Sequence, residues 1–531
     1  MAPHPLRRLA ASGLAYQSAS LLAGVLALVT LPLYTAHLAE AELGWAETLL
    51  TWIILLSILL RAGLQEALLR HWFHDDDPAR RGRLARRVLG VVLVGSTAVA
   101  ALVVVAAPTL AGPLLGDAIP GATDDDRATT IRVAALGVWA FTNLETVNAL
   151  MRAREARRTY LAASLTNVVL TVTSTVLLVV VLDGGAPGYL LGNYAASTAV
   201  LVGVWWSQRE VLTAGRRARG SSLAGRGAAA PGGGSAVGGS PGLEDAATSD
   251  QGEALAPDRD RLRPLLRFGL PTVPPEAAVF ALNLVDRQWL IHSSGAASAG
   301  IYAAAVKLAT LVIVVARAFQ AAWPPLAYDL DDDAAPRAYA QVVRAYVVAL
   351  GWVVAALTLM RHQVVEVLVA DGYAAAAGAL PWLALGWALW GLTWVFTSIA
   401  GRVHRTGRTL PAAILGLVVN VVVLAALVPS LAATGAAIAL VAAYVVALTV
   451  AHLRTRRLLH VPFERGPLAA AVVLLVVVAV GGDWLLPAGG LGGIAGRVVL
   501  CAAIPPLLVV VGAVRPSEVG RLVASVRARR G

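Results

Sequence analysis

The sequence predicts an all-α polytopic membrane protein of about fourteen transmembrane helices, laid out as two six-helix bundles in parallel pseudo-repeat plus two C-terminal helices. Three observations carry that expectation. Of 531 residues, 58% are apolar and only 14% are charged, against roughly 25% charged in a soluble domain, and the mean hydropathy is +0.71. The apolar residues come in runs long enough to cross a bilayer. The arginines gather on alternate connections between those runs. A disordered chain, a disulfide scaffold and a soluble enzyme are thereby excluded, the second because Cys501 is the single cysteine. The formal net charge of +11 is built from 42 arginines and one lysine, Lys307. Such a sum implies no nucleic-acid partner; what matters is where the arginines sit.

A spanning helix needs about 20 mainly apolar residues. The first run, 11–34, follows Arg7 and Arg8 but is too long, and too many spans follow, for a cleaved leader. The next five are 45–66, 88–109, 131–152, 159–182 and 186–207. Residues 208–263 are rich in Gly, Ala, Ser and Pro without apolar period, and read as a cytoplasmic linker, either a passive tether or a regulatory segment. Eight runs follow, at 265–291, 298–325, 342–361, 378–400, 410–429, 433–453, 467–486 and 492–514. The expected organisation is a bundle over 1–207, the linker over 208–263, a second bundle over 264–453, and two extra spans with a basic tail over 454–531.

With both termini in the cytoplasm, the inward segments hold 35 of the 42 arginines. This is the bias of the positive-inside rule, and a missed span would scramble it. The seven exceptions are Arg61, Arg127, Arg132, Arg287, Arg317, Arg361 and Arg497.

The two halves repeat. At an offset of 256, Gly44 matches Gly300, Arg61-Ala62 matches Arg317-Ala318, and Asp75–Asp77 matches Asp331–Asp333. At an offset of 247, Arg158 matches Arg405 and Gly188 matches Gly435. Matched spans differ by six in order and so keep the same direction. A parallel repeat of this kind predicts two bundles that rock about a central cavity.

Ionisable groups inside the membrane are costly, so each points to a cavity or a partner. In the seventh span, Pro271, Pro274 and Pro275 predict a kinked or broken helix. Beyond them Glu276, Asn283 and Arg287 share an arc of about 40°, with Asp286 to one side. The eighth span holds Lys307 near mid-depth and Arg317 in the inner half; Arg317, like Arg61, either faces the cavity or snorkels to the cytoplasmic interface. The lysine reads as a phosphate contact, a proton-linked switch or a structural ion pair, with Glu276 as the expected partner. Glu47, Thr51, Arg61 and Gln65 share an arc of about 80° on the second span, and Asn143, Glu145 and Asn148 sit on the fourth. His71, His74 and Asp75–Asp77 resemble loose metal ligands but read as a solvated flank. No metal is expected, and no phosphate-binding glycine loop or nucleophile elbow is present.

The stretch Gly269 to Lys307, with its prolines, Asp286-Arg287, Gly300, Tyr302 and the basic Lys307, resembles the polysaccharide-export (O-antigen-type) flippase family of the multidrug/oligosaccharidyl-lipid/polysaccharide (MOP) superfamily. Asn420, Pro429 and Gly435 resemble that family's connection between spans eleven and twelve. Glu276 and the long linker depart from the family pattern. The resemblance implies a non-enzymatic carrier in a bacterial plasma membrane. Its cargo would be a polyprenyl-diphosphate-linked oligosaccharide, carried from the inner to the outer leaflet. Lys307, Arg317, Arg61 and Arg287 would contact the diphosphate. Glu276, Glu145, Asp286 and Glu47 would bind a coupling sodium ion or proton, or hold the cations in place. A glycan polymerase and glycosyltransferases would be its partners. A lipid II flippase, a cation-coupled drug exporter and a membrane glycosyltransferase are the alternatives. The last places its acids on a sizeable outer loop, whereas here the first outer loop is short, with Glu40 and Glu42, and the longest, 110–130, has only the Asp124–Asp126 run.

Overall fold

The computed structural model describes residues 24–74, 77–117, 122–209, 262–403 and 410–514. Arg7, Arg8, Asp75, Asp76, Arg405, most of the linker at 208–263 and the basic tail from Arg515 lie outside the described residues. Among the described residues the secondary structure is entirely helical. The first half contains α1 (Gly24–His37), α2 (Glu40–Arg61), α3 (Leu64–His74), α4 (Pro78–Leu115), α5 (Asp124–Ala153), α6 (Arg157–Val176) and α7 (Gly185–Ser207). The second contains α8 (Leu262–Gly269), α9 (Val273–Leu308), α10 (Thr310–Asp329), α11 (Ala335–Leu359), α12 (Arg361–Leu368), α13 (Ala376–Arg402) and α14 (Leu410–Thr455), followed by α15 (Arg465–Leu485) and α16 (Leu491–Val510).

Local chemistry sets the helix ends. Asp77 caps α4, accepting from the Ala79 N–H at 2.9 Å, with Pro78 at the first helical position. Thr123 and Asp126 cap each other's backbone at the start of α5. The second span was expected to run to residue 66, but α2 stops at Arg61, where Ala62 and Gly63 turn left-handed at φ 46° and 69°. The chain resumes as α3, an amphipathic helix in a stretch expected to be loop. Its Leu64, Ala67 and Leu68 are buried, and Arg70 lies 4.4 Å above the Phe268 ring of α8. The proline cluster acts as predicted: a 3-10 turn at Leu270–Thr272 and a bend of 44° separate α8 from α9.

Two helices fold back on themselves. In α9 Gly295 has φ 83°, and Tyr302 donates to Asp286 at 2.9 Å, although sixteen residues of straight helix would part them by about 24 Å. In α14 the break is at Ala432, and Gly416 packs against Ala443 and Ala447. Length and composition alone qualify eight described helices as membrane spans, or nine with the bent pair. The tally differs from the expected fourteen for physical reasons. α9 and α14 each contain two limbs, and α5 carries a polar stripe.

The connections sort to two ends as the arginine alternation predicts. At the arginine-poor end, Trp45 donates to the Leu115 carbonyl at 3.0 Å, Tyr373 to the Leu38 carbonyl at 2.9 Å, and Gln363 to the Ala488 carbonyl. At the arginine-rich end, Arg402 bonds Ala327, Leu330 and Asp332, and Arg344 pairs with Glu464 at 2.6 Å. Large apolar side chains such as Val94, Leu102, Val105, Val480 and Leu491 stay exposed, as a lipid-facing surface requires. α15 and α16 pack on α11, tied by the buried Arg497, which pairs with Asp483 at 2.9 Å while Arg361 meets the same carboxylate at 2.8 Å.

The repeat is visible in contacts. Gly188 meets the Leu178 carbonyl and its counterpart Gly435 meets the Leu427 carbonyl, so matched glycines serve the same close turn. Gly44 and Gly300 lie against each other where α2 crosses the second limb of α9; a Cβ at Gly300 would overlap the Glu40 carbonyl oxygen. Gly300→Ala should therefore cost about 1–3 kcal/mol of overpacking. Gly90→Ala, with open space around it, should be neutral or slightly stabilising. Thermal unfolding in detergent checks the pair, and equal melting temperatures would remove the seam.

Candidate functional site

Between the halves lies a cavity of about 960 Å³, near the upper end of the size range of ligand pockets. The first half lines it from α1, α2, α5, α6 and α7, the second from α9, α10 and α13. Five of the eight charged residues expected at a site are on its wall: Glu47, Glu276, Arg287, Lys307 and Arg317. Arg61, Glu145 and Asp286 are not. The helical arc is confirmed, since Glu276, Asn283 and Arg287 face the cavity and Asp286 points elsewhere.

Glu47 on α2 is the centre of the deepest cluster. The Lys307 ammonium stands 2.8 Å from its carboxylate and the Arg287 guanidinium 3.7 Å away. Tyr189 donates to the same carboxylate at 2.9 Å. Arg287 also donates to the Glu47 backbone carbonyl at 2.8 Å and to the Thr51 hydroxyl. Both cations belong to α9 and the acid to α2, so the cluster ties one half to the other. The expected pairing of Lys307 with Glu276 is corrected here: Lys307 pairs with Glu47. Lys307 lies on the second limb of α9, past the reversal at Gly295, which carries it to α2 rather than to the start of its own helix.

Glu276 pairs instead with Arg61, at 3.6 Å. Arg61 is buried, donating to the Ser57 carbonyl at 3.2 Å and to Gln65 at 2.5 Å. This second cluster joins α2 to α9 nearer the arginine-rich end, so Arg61 is placed as a tie behind the wall. Glu145 accepts from Asn148 at 3.1 Å, and Asn143 donates to Ser96 at 2.8 Å within the first half. Asp286 is fully buried between the limbs of α9 and α14. Tyr302 donates to one of its oxygens at 2.9 Å, and the side chain of Asn420 also lies against this carboxylate. Among the described residues no group of three or more His, Cys, Asp or Glu could hold a metal ion. His71 instead meets its own helix at the Ala67 carbonyl, 2.8 Å away.

Of the seven arginines outside the inward segments, six have a carboxylate partner. Arg317 is the exception: it lines the cavity, and among the described residues no carboxylate reaches it. The wall thus carries three cations against two acids, and both acids are engaged. Sequence reasoning missed the tyrosines Tyr34 and Tyr189 and the indoles Trp387, Trp390 and Trp394 on the wall. The tryptophan spacing of three and four residues on one helix face was the available signal.

The model of a family described as polysaccharide biosynthesis protein matches residues 9–329. No curated protein matches in sequence. Among solved structures, the lipid II flippase MurJ in an inward closed conformation superposes with a TM-score of 0.66 at 9% identity, over 92% of this chain and 97% of that one. An inward-facing multidrug resistance MATE transporter of the MOP superfamily gives 0.61 at 15% identity, over 83% and 94%. A MOP superfamily transporter from Pyrococcus furiosus gives 0.54 at 15%, over 85% and 95%. At these identities the likeness shows the fold.

Removing one member of a buried ion cluster leaves the others uncompensated, at a cost of about 3–5 kcal/mol. Glu47→Gln should therefore lower thermal stability in detergent. Adding Lys307→Gln to it should cost less than the sum of the two single changes. Additive losses, or no loss from Glu47→Gln, would contradict the clasp.

Proposed function

We infer the function from one premise: the chain belongs to the polysaccharide biosynthesis protein family, and it is a multi-pass membrane protein with the fold of flippases and exporters. We propose that it carries a polyprenyl-diphosphate-linked oligosaccharide from the inner to the outer leaflet of a bacterial plasma membrane by alternating access, with both termini cytoplasmic. The observation that carries this reading is Arg317, a cavity-facing cation without an acid partner among the described residues. An uncompensated charge in a membrane interior is costly and marks a ligand path, and guanidinium matches the geometry of phosphate oxygens.

The headgroup enters the cavity while the polyprenyl tail stays in the bilayer. Its diphosphate meets Arg317 and then competes with Glu47 for Lys307 and Arg287. Glu47 belongs to the first half and the two cations to the second. Exchange of the carboxylate for the diphosphate therefore removes a tie between the halves at the moment the cargo is bound. The Arg61–Glu276 pair acts as the corresponding tie nearer the cytoplasm. A potential positive outside favours outward movement of the anion by roughly 2.3 kcal/mol per charge per 100 mV. Asp286, buried between Tyr302 and Asn420, is the position for a coupling sodium ion or proton. Glycosyltransferases would supply the cargo and a polymerase would consume it.

The cavity acids also bear on the alternatives. A cationic drug needs an available carboxylate, and Glu47 and Glu276 are both paired. A glycosyltransferase needs acids poised in a site. Glu42 and Asp126 cap helices, and Asp124 and Asp125 pair with Arg127 and Arg132. Lipid II presents the same diphosphate chemistry as the proposed cargo.

Arg317→Gln should lower surface polysaccharide more than tenfold while the protein remains folded in the membrane, and Arg317→Lys should restore part of it. Immunoblotting of surface glycan alongside membrane protein checks this; normal polymer in Arg317→Gln would remove the reading. Asp286→Asn should abolish the sodium or pH dependence of transport in proteoliposomes, and an unchanged dependence would make Asp286 structural.

A further inference from the structure

One wall of the cavity is not explained by anion binding. On α13, Trp387, Trp390 and Trp394 follow at three- and four-residue spacing and all line the cavity. Their rings meet edge to face, with centroids 5.5 Å and 6.4 Å apart and interplanar angles of 81° and 85°, so successive indoles present differently turned faces. The indole N–H groups of Trp387 and Trp394 are buried without a hydrogen-bond partner. Trp387 is 6% exposed overall. The chain itself supplies no acceptor for these two donors on cavity-lining rings, so a polar group entering the cavity can satisfy them. Across the cavity the side-chain oxygen of Asn167 is likewise buried and unpartnered.

The ladder also stands beside the unpaired cation. Gly391, between the second and third rungs, lets α13 approach α10 so closely that a Cβ there would lie 2.9 Å from the Ala316 Cβ, the residue before Arg317. Anion site and aromatic wall are therefore neighbours.

We propose that Trp387, Trp390 and Trp394 form the saccharide subsite of the cavity. The apolar C–H faces of sugar rings stack on the indoles, and ring hydroxyls accept the open N–H groups and donate to Asn167. The inference rests on reading the cavity as that of a lipid-linked glycan carrier and adds where the glycan lies. A lipid chain would stack on the same rings but offers nothing to an indole N–H. A cationic ligand would suit the rings but finds both wall acids already paired. Stacking on a π face tolerates many sugars, so the wall selects for carbohydrate while leaving its sequence open.

The test compares two probes on the purified full-length protein: bare undecaprenyl diphosphate, and the polyprenyl-diphosphate-linked saccharide fraction extracted from the native cells. Wild type should bind the saccharide-bearing fraction more tightly than the bare lipid. Trp387→Phe/Trp394→Phe keeps a six-membered aromatic face at each position and removes the N–H groups; it should weaken saccharide-lipid binding about tenfold, equivalent to about 1.4 kcal/mol, with bare-lipid binding unchanged. Trp390→Leu should have the same selective effect, and Arg317→Gln should weaken both probes. Equal loss for both probes, or no loss for either, in the double Phe variant overturns the subsite. Wild type that binds both probes alike overturns it as well, yet leaves the carrier reading standing. Wild type that binds neither removes the carrier reading, and the subsite with it.

Discussion

The arrangement depends on one carboxylate shared across the middle of the molecule. Glu47 reaches from α2 to Lys307 and Arg287 on α9, with the Tyr189 hydroxyl completing its shell. Three ionised groups in a membrane interior are tolerable only as a cluster, because each alone would carry an uncompensated desolvation cost. The cluster fixes how the halves approach, and its cations outnumber its acid. The same feature that ties the halves together leaves the cluster short of one negative charge, the charge that the proposed headgroup would bring.

The backbone is built to bring that cluster together. Gly44 and Gly300 allow α2 and the second limb of α9 to cross without side chains between them. The reversal at Gly295 returns the chain so that Asp286, Arg287 and Lys307 occupy neighbouring limbs. At the other end of α2, the left-handed pair Ala62 and Gly63 turns the chain into α3, and Arg61 closes on Glu276. Two ionic ties on one helix, at different depths, give α2 the position of a bolt between the bundles.

Much of this was legible in the sequence. Composition, apolar run length and arginine placement carry the fold class because a bilayer imposes so few solutions. The helical arc of Glu276, Asn283 and Arg287 put three residues on the right wall, since angular position along one helix is fixed by geometry. Partner choice was not legible: Lys307 meets Glu47 through a tertiary crossing that no local pattern encodes. The split of the second span at Ala62 was hidden because an alanine with positive φ leaves no compositional mark. The indole wall was missed because apolar aromatics in a membrane helix read as lipid-facing until the cavity is seen.

The most direct test of the central claim is the distance between the halves at the arginine-poor end. Spin labels at the exposed positions Ala36 and Ala374, in a Cys501→Ser background, report it by pulsed electron resonance. If a diphosphate headgroup displaces Glu47 from its cations, saturating undecaprenyl diphosphate should shift the distribution to longer distances. An unchanged distribution with the lipid demonstrably bound would contradict the account.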